Sequence, residues 1–581
     1  MDMNISAKSG KGSVQKHGLF DSIEIKGLSA KKARAFSSGR FAVIVRRLSR
    51  LLAFTPARVY GFASLSFGIL TLFLHLGEYY FMQDPVVAVS SLIIGAVFAV
   101  LSLPLLISDK PICIAFQSLK LVDFIVFDFF SINRMQYSEG ERRLSAAWGI
   151  LFGFLLAAFG FFLPTEYAAL LIIFLVLFVV SMLSPEFPYI FSLLVFPYLP
   201  IVPYSEYILA GFIVLTLVSF SRKVFVGKRM YALEIYDFLL LLFVLAVVLT
   251  GVILGGKSST EYALLIILFI IGYIPAASVA VNRRLCDCIA GAVVTSSIPI
   301  AIYAIVKYIV DFAMGERTSA TAFFASSAVL AAYLSTVIVF SLFLSVNRSR
   351  KIKKRYYFIT FIINAIAIIT TEYFALPIAL LLCIAAFMII RSKKIPPFFA
   401  IPLFLLPFGI LFLPDSILLK LSGILPTSPS VIEVANGVSD SLWLFFDNLF
   451  FGIGANGFGE GAYYSHSTYL ALGCRFGILA AIIFVLLIII RFLHLGIFRK
   501  HYSDSTVSFY VDMCTFSAIA MLLLGSFADI FENIIMVYFF ISIFATGSAA
   551  LRVSKKERLE RLSYYADSGS SDYAILDVRV K

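Results

Sequence analysis

Apolar runs of about 20 residues recur along nearly the whole chain, each long enough to cross a bilayer's hydrocarbon core as a helix. In lipid every backbone N–H and C=O must find its partner inside the protein, so such runs have one regular solution, the α-helix. The runs are continuous rather than alternating, which excludes a β-barrel. Only 14% of the residues are charged and 61% are hydrophobic, with a mean hydropathy of +0.97. A soluble domain carries about 25% charge. The expected fold is all-α, a polytopic transmembrane bundle of about 16 membrane segments with one long outer loop. The expected cores are 59–81, 86–107, 144–163, 167–184, 188–203, 205–220, 236–254, 261–281, 287–309, 320–345, 357–373, 374–390, 397–413, 467–491, 508–526 and 532–550. Pro197, Pro200 and Pro203 break the 188–203 run, and 111–133 reads as an interfacial helix.

The net charge of +13 would suggest nucleic acid in a soluble protein. Here the basic residues fall in short loops between apolar runs, so topology explains them and no nucleic-acid partner is expected. The loops Lys110 to Arg143, Ser221 to Met230, Arg283–Arg284, Asn347 to Arg355, Arg391 to Lys394 and Arg491 to His501 fall on one face of the predicted arrangement. The tail with Arg552, Lys555, Lys556, Arg558 and Arg561 falls there too. The positive-inside rule makes that face cytoplasmic, with both chain ends on it. Residues 1–57 are polar and basic and read as a disordered tail without a cleaved signal peptide. The six scattered cysteines form neither a disulfide framework nor a metal site, and no cofactor is expected.

The long exception among the outer loops is 414–465, which carries Asp415, Glu433, Asp440, Asp447 and Glu460 against the single Lys420. It shows no strong helical pattern, and a loop of that length is usually functional. It ends in Phe-Phe-Gly452-Ile-Gly454-Ala-Asn456-Gly457-Phe-Gly459-Glu-Gly461, then Ala-Tyr463-Tyr464-Ser465-His466-Ser467 and an apolar run. The glycines forbid a regular helix and permit left-handed turns. The formal match to a dinucleotide fingerprint is rejected, because that motif needs a strand before it and a helix straight after it. Ser465 and Ser467 stand where a helix N-cap is expected, which puts His466 at the mouth of a membrane helix.

Three further charged residues stand out. Arg317, immediately before the Phe323–Leu344 run, is either a solvated loop arginine or part of an anion site at a helix start. Arg475 lies inside an apolar run, where an arginine is expensive. It either serves function or points into the bundle and pairs with Asp529 or Glu532. Glu372, at an outer helix end, reads as a solvated turn residue.

His466-Ser467, nine residues, then Gly477-Ile-Leu-Ala480 resembles the signature of the O-antigen ligase and polymerase superfamily. The Asp447–Phe458 segment resembles the family's glycine-rich segment, Trp443 stands where a family tryptophan often does, and Arg317-Thr-Ser-Ala-Thr resembles its arginine-led helix start. The resemblance covers residues 310–550, following an N-terminal membrane region of 58–309 and preceding a C-terminal tail of 551–581. It implies a glycosyltransferase that moves or polymerises glycan from a polyprenyl-diphosphate carrier onto an acceptor at the outer face of the cytoplasmic membrane. The acceptor is a glycan, a lipid or a protein. It implies His466 as the catalytic base, and Arg317 as a diphosphate-binding residue. Ser439 and Asp440 stand where the family has a second arginine, which makes Lys420 and Arg475 the candidates to supply it. Gly452, Gly454, Asn456, Tyr463 and Tyr464 are the candidate acceptor or loop residues. No Asp-x-Asp motif faces outward, so a metal-free reaction is the simpler reading. A lipid-linked glycan transporter and an inactive membrane scaffold remain the alternatives.

Overall fold

A computed structural model describes residues 23–25, 47, 50–52, 54–81, 85–118, 120–130, 144–162, 174, 177–178, 180–182, 184–202, 204–225, 229–233, 235–254, 257–315, 319–347, 351–373, 431–454, 467–501 and 507–568. Nearly all of these are helical; two three-residue strands, Ile23–Ile25 and Tyr231–Leu233, pair antiparallel with Ile23 opposite Leu233.

Seven helices among the described residues are long and apolar enough to cross a membrane: Ala57–Gly77, Ser205–Phe225, Arg283–Ala313, Ser327–Asn347, Thr468–His494, Ser508–Gly525 and Ile534–Arg561. Five shorter apolar helices accompany them. The chain is thus a polytopic helical membrane protein, although the expected count of about 16 is not reached among the described residues. The 374–390 and 397–413 runs and most of 167–184 lie outside them. The 188–203 run is no full span. Its helix, Glu186–Val195, tightens into a 3-10 turn over Phe196–Ile201, as its prolines require.

Three N-terminal helices, Ala57–Phe81, Pro85–Leu106 and Ala146–Phe162, pack tightly on one another. A methyl group added at Gly68 would lie 2.7 Å from the Gly95 carbonyl oxygen, and one at Gly149 would lie 2.4 Å from that of Val59. Backbones can approach so closely only through such small residues, the usual device where lipid gives no hydrophobic drive to helix association.

The remaining helices share one core, which crosses residue 310. The Phe196 ring stacks on Phe539 at 4.6 Å and meets Tyr333 edge-on at 5.5 Å. Buried polar side chains satisfy themselves within it: Tyr189 donates to the Ser542 carbonyl at 3.2 Å, and Tyr273 shares a hydrogen bond of 2.7 Å with Ser548.

One expectation fails within the 414–465 segment. Val431–Asp447 is a regular 17-residue helix. Its apolar residues follow helical spacing, but the acidic residues between them and the glycines beyond them hide the period.

Candidate functional site

The helix Thr468–His501 is not continuous. It breaks at Gly477, whose φ of 78° and ψ of 176° no helix contains. A break inside an apolar helix strands backbone groups that lipid cannot satisfy. Here the preceding chain satisfies them. The Ile453 N–H donates to the Cys474 carbonyl at 2.8 Å and the Gly454 N–H to that of Arg475 at 3.1 Å. The Ile478 N–H, which would have bonded Cys474 in an unbroken helix, donates to the Leu449 carbonyl at 2.8 Å. The Thr250 hydroxyl, from another helix, reaches the Phe476 carbonyl at 3.3 Å.

This contact explains the first glycines of the 452–461 run. A methyl group at Gly452 would lie 2.5 Å from the carbonyl carbon and oxygen of Arg475. One at Gly477 would lie 2.1 Å from the Phe450 carbonyl oxygen. Both glycines have positive φ. The glycines therefore serve close backbone approach across a helix break, beyond the sharp turn that a glycine run suggests.

Arg475 sits at the break and is buried. Of the two readings open for it, the structure shows the pairing: its Nη2 lies 3.0 Å from Oδ2 of Asp529, with both side chains under a tenth exposed. Asp529 belongs to the 526–533 turn between the last two long helices, and its Oδ1 accepts the Phe531 N–H at 3.2 Å. Burial pushes the Asp529 carboxyl up to about 6, against the opposing pull of Arg475. Arg475 lines an apolar cavity together with Phe243, Leu472, Phe484, Phe531 and Phe540. Arg491 lines the same cavity and donates to the Phe544 carbonyl at 2.8 Å and to the Ser548 hydroxyl.

The same turn is tied to the start of the broken helix and to a third element. Thr468, directly after Ser467, donates its hydroxyl to the Ala528 carbonyl at 2.8 Å and accepts the Ile530 N–H at 3.0 Å. The buried Tyr373 donates to the Phe527 carbonyl. The Ala320 N–H donates to the Thr370 carbonyl at 3.0 Å. Glu372 is not the solvated turn residue expected. It is partly buried, has a φ of 49° and accepts the Tyr308 hydroxyl at 2.6 Å. Ala320, Thr370, Tyr373, Phe527, Ala528 and Thr468 thus form one hydrogen-bonded end of the bundle.

Of the residues singled out from the sequence, Gly452, Gly454 and Arg475 meet at the helix break. Arg317, Lys420, Asn456, Tyr463, Tyr464 and His466 lie outside the described residues. Thr250, Thr468 and Tyr373 escaped sequence reading. Their polar contacts bridge 226, 60 and 154 residues, and a lone hydroxyl at such range leaves no local pattern.

The fold and the break together define a class: a polytopic helical membrane protein with a discontinuous helix and a buried ion pair beside the break. The chain matches no family model and no curated protein.

Proposed function

We propose that the protein is a membrane glycosyltransferase of the O-antigen ligase and polymerase type. It transfers or polymerises glycan from a polyprenyl-diphosphate carrier onto an acceptor hydroxyl at the outer face of the cytoplasmic membrane. In this reading His466 takes the acceptor's proton, since an imidazole titrates near neutrality. Arg317 offsets the charge of the departing diphosphate. Arg475 is already engaged by Asp529, so it serves the diphosphate only by sharing or releasing that carboxylate.

The observation that carries the reading is the hydrogen-bonded end of the bundle. Ala320 lies three residues after Arg317, and Thr468 two residues after His466. Ala320 is held to Thr370, its near neighbour Tyr373 to Phe527, and Ala528 to Thr468. Segments about 150 residues apart in sequence are thereby gathered at one end, as a shared site needs.

The test is transfer by the purified protein from a polyprenyl-diphosphate glycan. His466→Ala is expected to keep carrier binding and to lose about 10²–10⁴-fold in rate, the usual contribution of a general base. Near-normal turnover would remove His466 from the mechanism.

A second reading has its own support. Interrupted membrane helices with a charged pair at the break are how many transporters build substrate sites, and the Gly477 break beside Arg475 and Asp529 has that form. Translocation of labelled carrier lipid in sealed vesicles, without transfer in detergent, would favour it.

A further inference from the structure

We propose that the Val431–Asp447 helix lies in the plane of the bilayer interface, with Trp443, Phe446, Phe450 and Phe451 seated in the boundary between lipid headgroups and acyl chains. The lipid surface is their partner, and the helix thereby fixes the depth at which the glycine segment covers the break.

The surface of this helix divides into three sectors at about 100° per residue. Ala435, Val438 and Ser441 are buried against the protein. There the Cys474 thiol donates to the Ser441 carbonyl at 3.2 Å, and a methyl group at Gly473 would lie 2.9 Å from the Phe445 ring. A second sector, with Asn436, Asp440 and Asp447, is polar and exposed. The third carries Trp443 and Phe446, 68% and 59% exposed. Phe450 and Phe451 extend it beyond the helix end at 72% and 52%.

No single solvent suits both exposed sectors. Water leaves four large aromatic side chains uncovered. Hydrocarbon leaves two carboxylates without hydration along the same helix. The interface accommodates both, since it is where amphipathic helices lie flat and aromatic residues concentrate.

Continuity identifies lipid, rather than a second copy, as the occupant. The Leu449–Ile478 hydrogen bond sets Phe450 and Phe451 beside the second half of the broken helix. That half exposes Leu479, Ile482 and Leu486 in a row at helical spacing, on an element apolar enough to span a membrane. The aromatic sector therefore runs on into a lipid-facing row. The proposal is independent of the glycan-transfer reading.

The chain has two tryptophans, Trp148 and Trp443, which permits a direct test. Trp148→Phe leaves Trp443 as the only indole. The variant is placed in phosphatidylcholine nanodiscs whose chains carry bromine near the carbonyls or near the methyl ends. Emission should be quenched by the shallow bromines at least about twofold more than by the deep ones, as an interfacial position requires, and only weakly by aqueous iodide. Strong iodide quenching without lipid quenching would place the helix in water and overturn the proposal. Protection from every quencher would mean that protein covers the patch, and stronger deep quenching would put the helix in hydrocarbon; either also overturns it. The difference between wild type and Trp443→Phe gives the same readout in a chain that keeps Trp148.

Discussion

Arg475 and Asp529 show how far single residues could be read ahead. An arginine inside an apolar run either serves function or pairs with a carboxylate, for which Asp529 and Glu532 are the candidates in the sequence; the structure pairs it with Asp529. The choice rests on Thr468, which fixes the turn by bonding Ala528 and Ile530, and no spacing rule announces that contact. Removing one partner of a buried pair leaves the other charged and desolvated. Asp529→Ala should therefore destabilise the protein by about 3–5 kcal/mol, read as a large fall in thermal midpoint in detergent at neutral pH. A fall no greater than that of a surface substitution would mean that water solvates the pair. The carboxyl also titrates in an accessible range. Between its ordinary value of 3.8 and about 6, the folded chain holds a proton that the unfolded chain has released. The stabilisation supplied by that retained proton is thus full below the window and lost as pH rises through it, leaving the ion pair with Arg475 at neutral pH. The midpoint of the wild type should fall between pH 4 and 7 by more than that of Asp529→Asn, which has no proton to lose there. Parallel profiles for the two proteins would overturn the assignment.

Among the elements, the long apolar helices were legible almost to their ends. The 59–81 and 86–107 runs became Ala57–Phe81 and Pro85–Leu106, because hydrophobic length alone decides a membrane helix. The break at Gly477 was not legible. Its surroundings are as apolar as any other span, and what breaks the helix is a partner more than 20 residues upstream that takes over its backbone hydrogen bonds. The two sets of glycines are therefore one structural device, and substitution tests it. Gly477→Ala and Gly452→Ala each combine positive φ with a backbone clash, at 2.1 and 2.5 Å. Neither neighbour is a flexible side chain, so each change should cost at least about 3 kcal/mol, against about 1 kcal/mol for left-handed strain alone. Gly315 is the internal control, with a φ of 82° and nothing within 4 Å of an added methyl group. Thermal midpoints that fall equally in Gly315→Ala and Gly477→Ala would show that the close approach contributes nothing.

At the scale of the whole molecule, helix direction and charge combine into one polarity. Arg283–Ala313, Ser327–Asn347 and Lys351–Ile369 run alternately up and down, and so do Thr468–His501, Ser508–Gly525 and Ile534–Ser568. Arg283, Arg284, Lys351, Lys353, Lys354, Arg355, Lys555 and Lys556 gather at the ends remote from the Thr370, Tyr373, Ala528 and Thr468 network. Net positive charge at one end of a membrane bundle sets its orientation during insertion, so the basic end should be cytoplasmic and the hydrogen-bonded end external. Two exposed positions read this directly: Asp440 on the amphipathic helix and Lys353 at a basic helix start. Cys286, Cys288, Cys474 and Cys514 are buried, and replacing Cys113 and Cys383 with serine removes the other two native thiols. A membrane-impermeant maleimide should label Asp440→Cys in intact cells and Lys353→Cys only after permeabilisation. The reverse pattern would invert the bundle, carry the glycine segment to the cytoplasmic side, and remove the outer-face site on which the transfer mechanism depends.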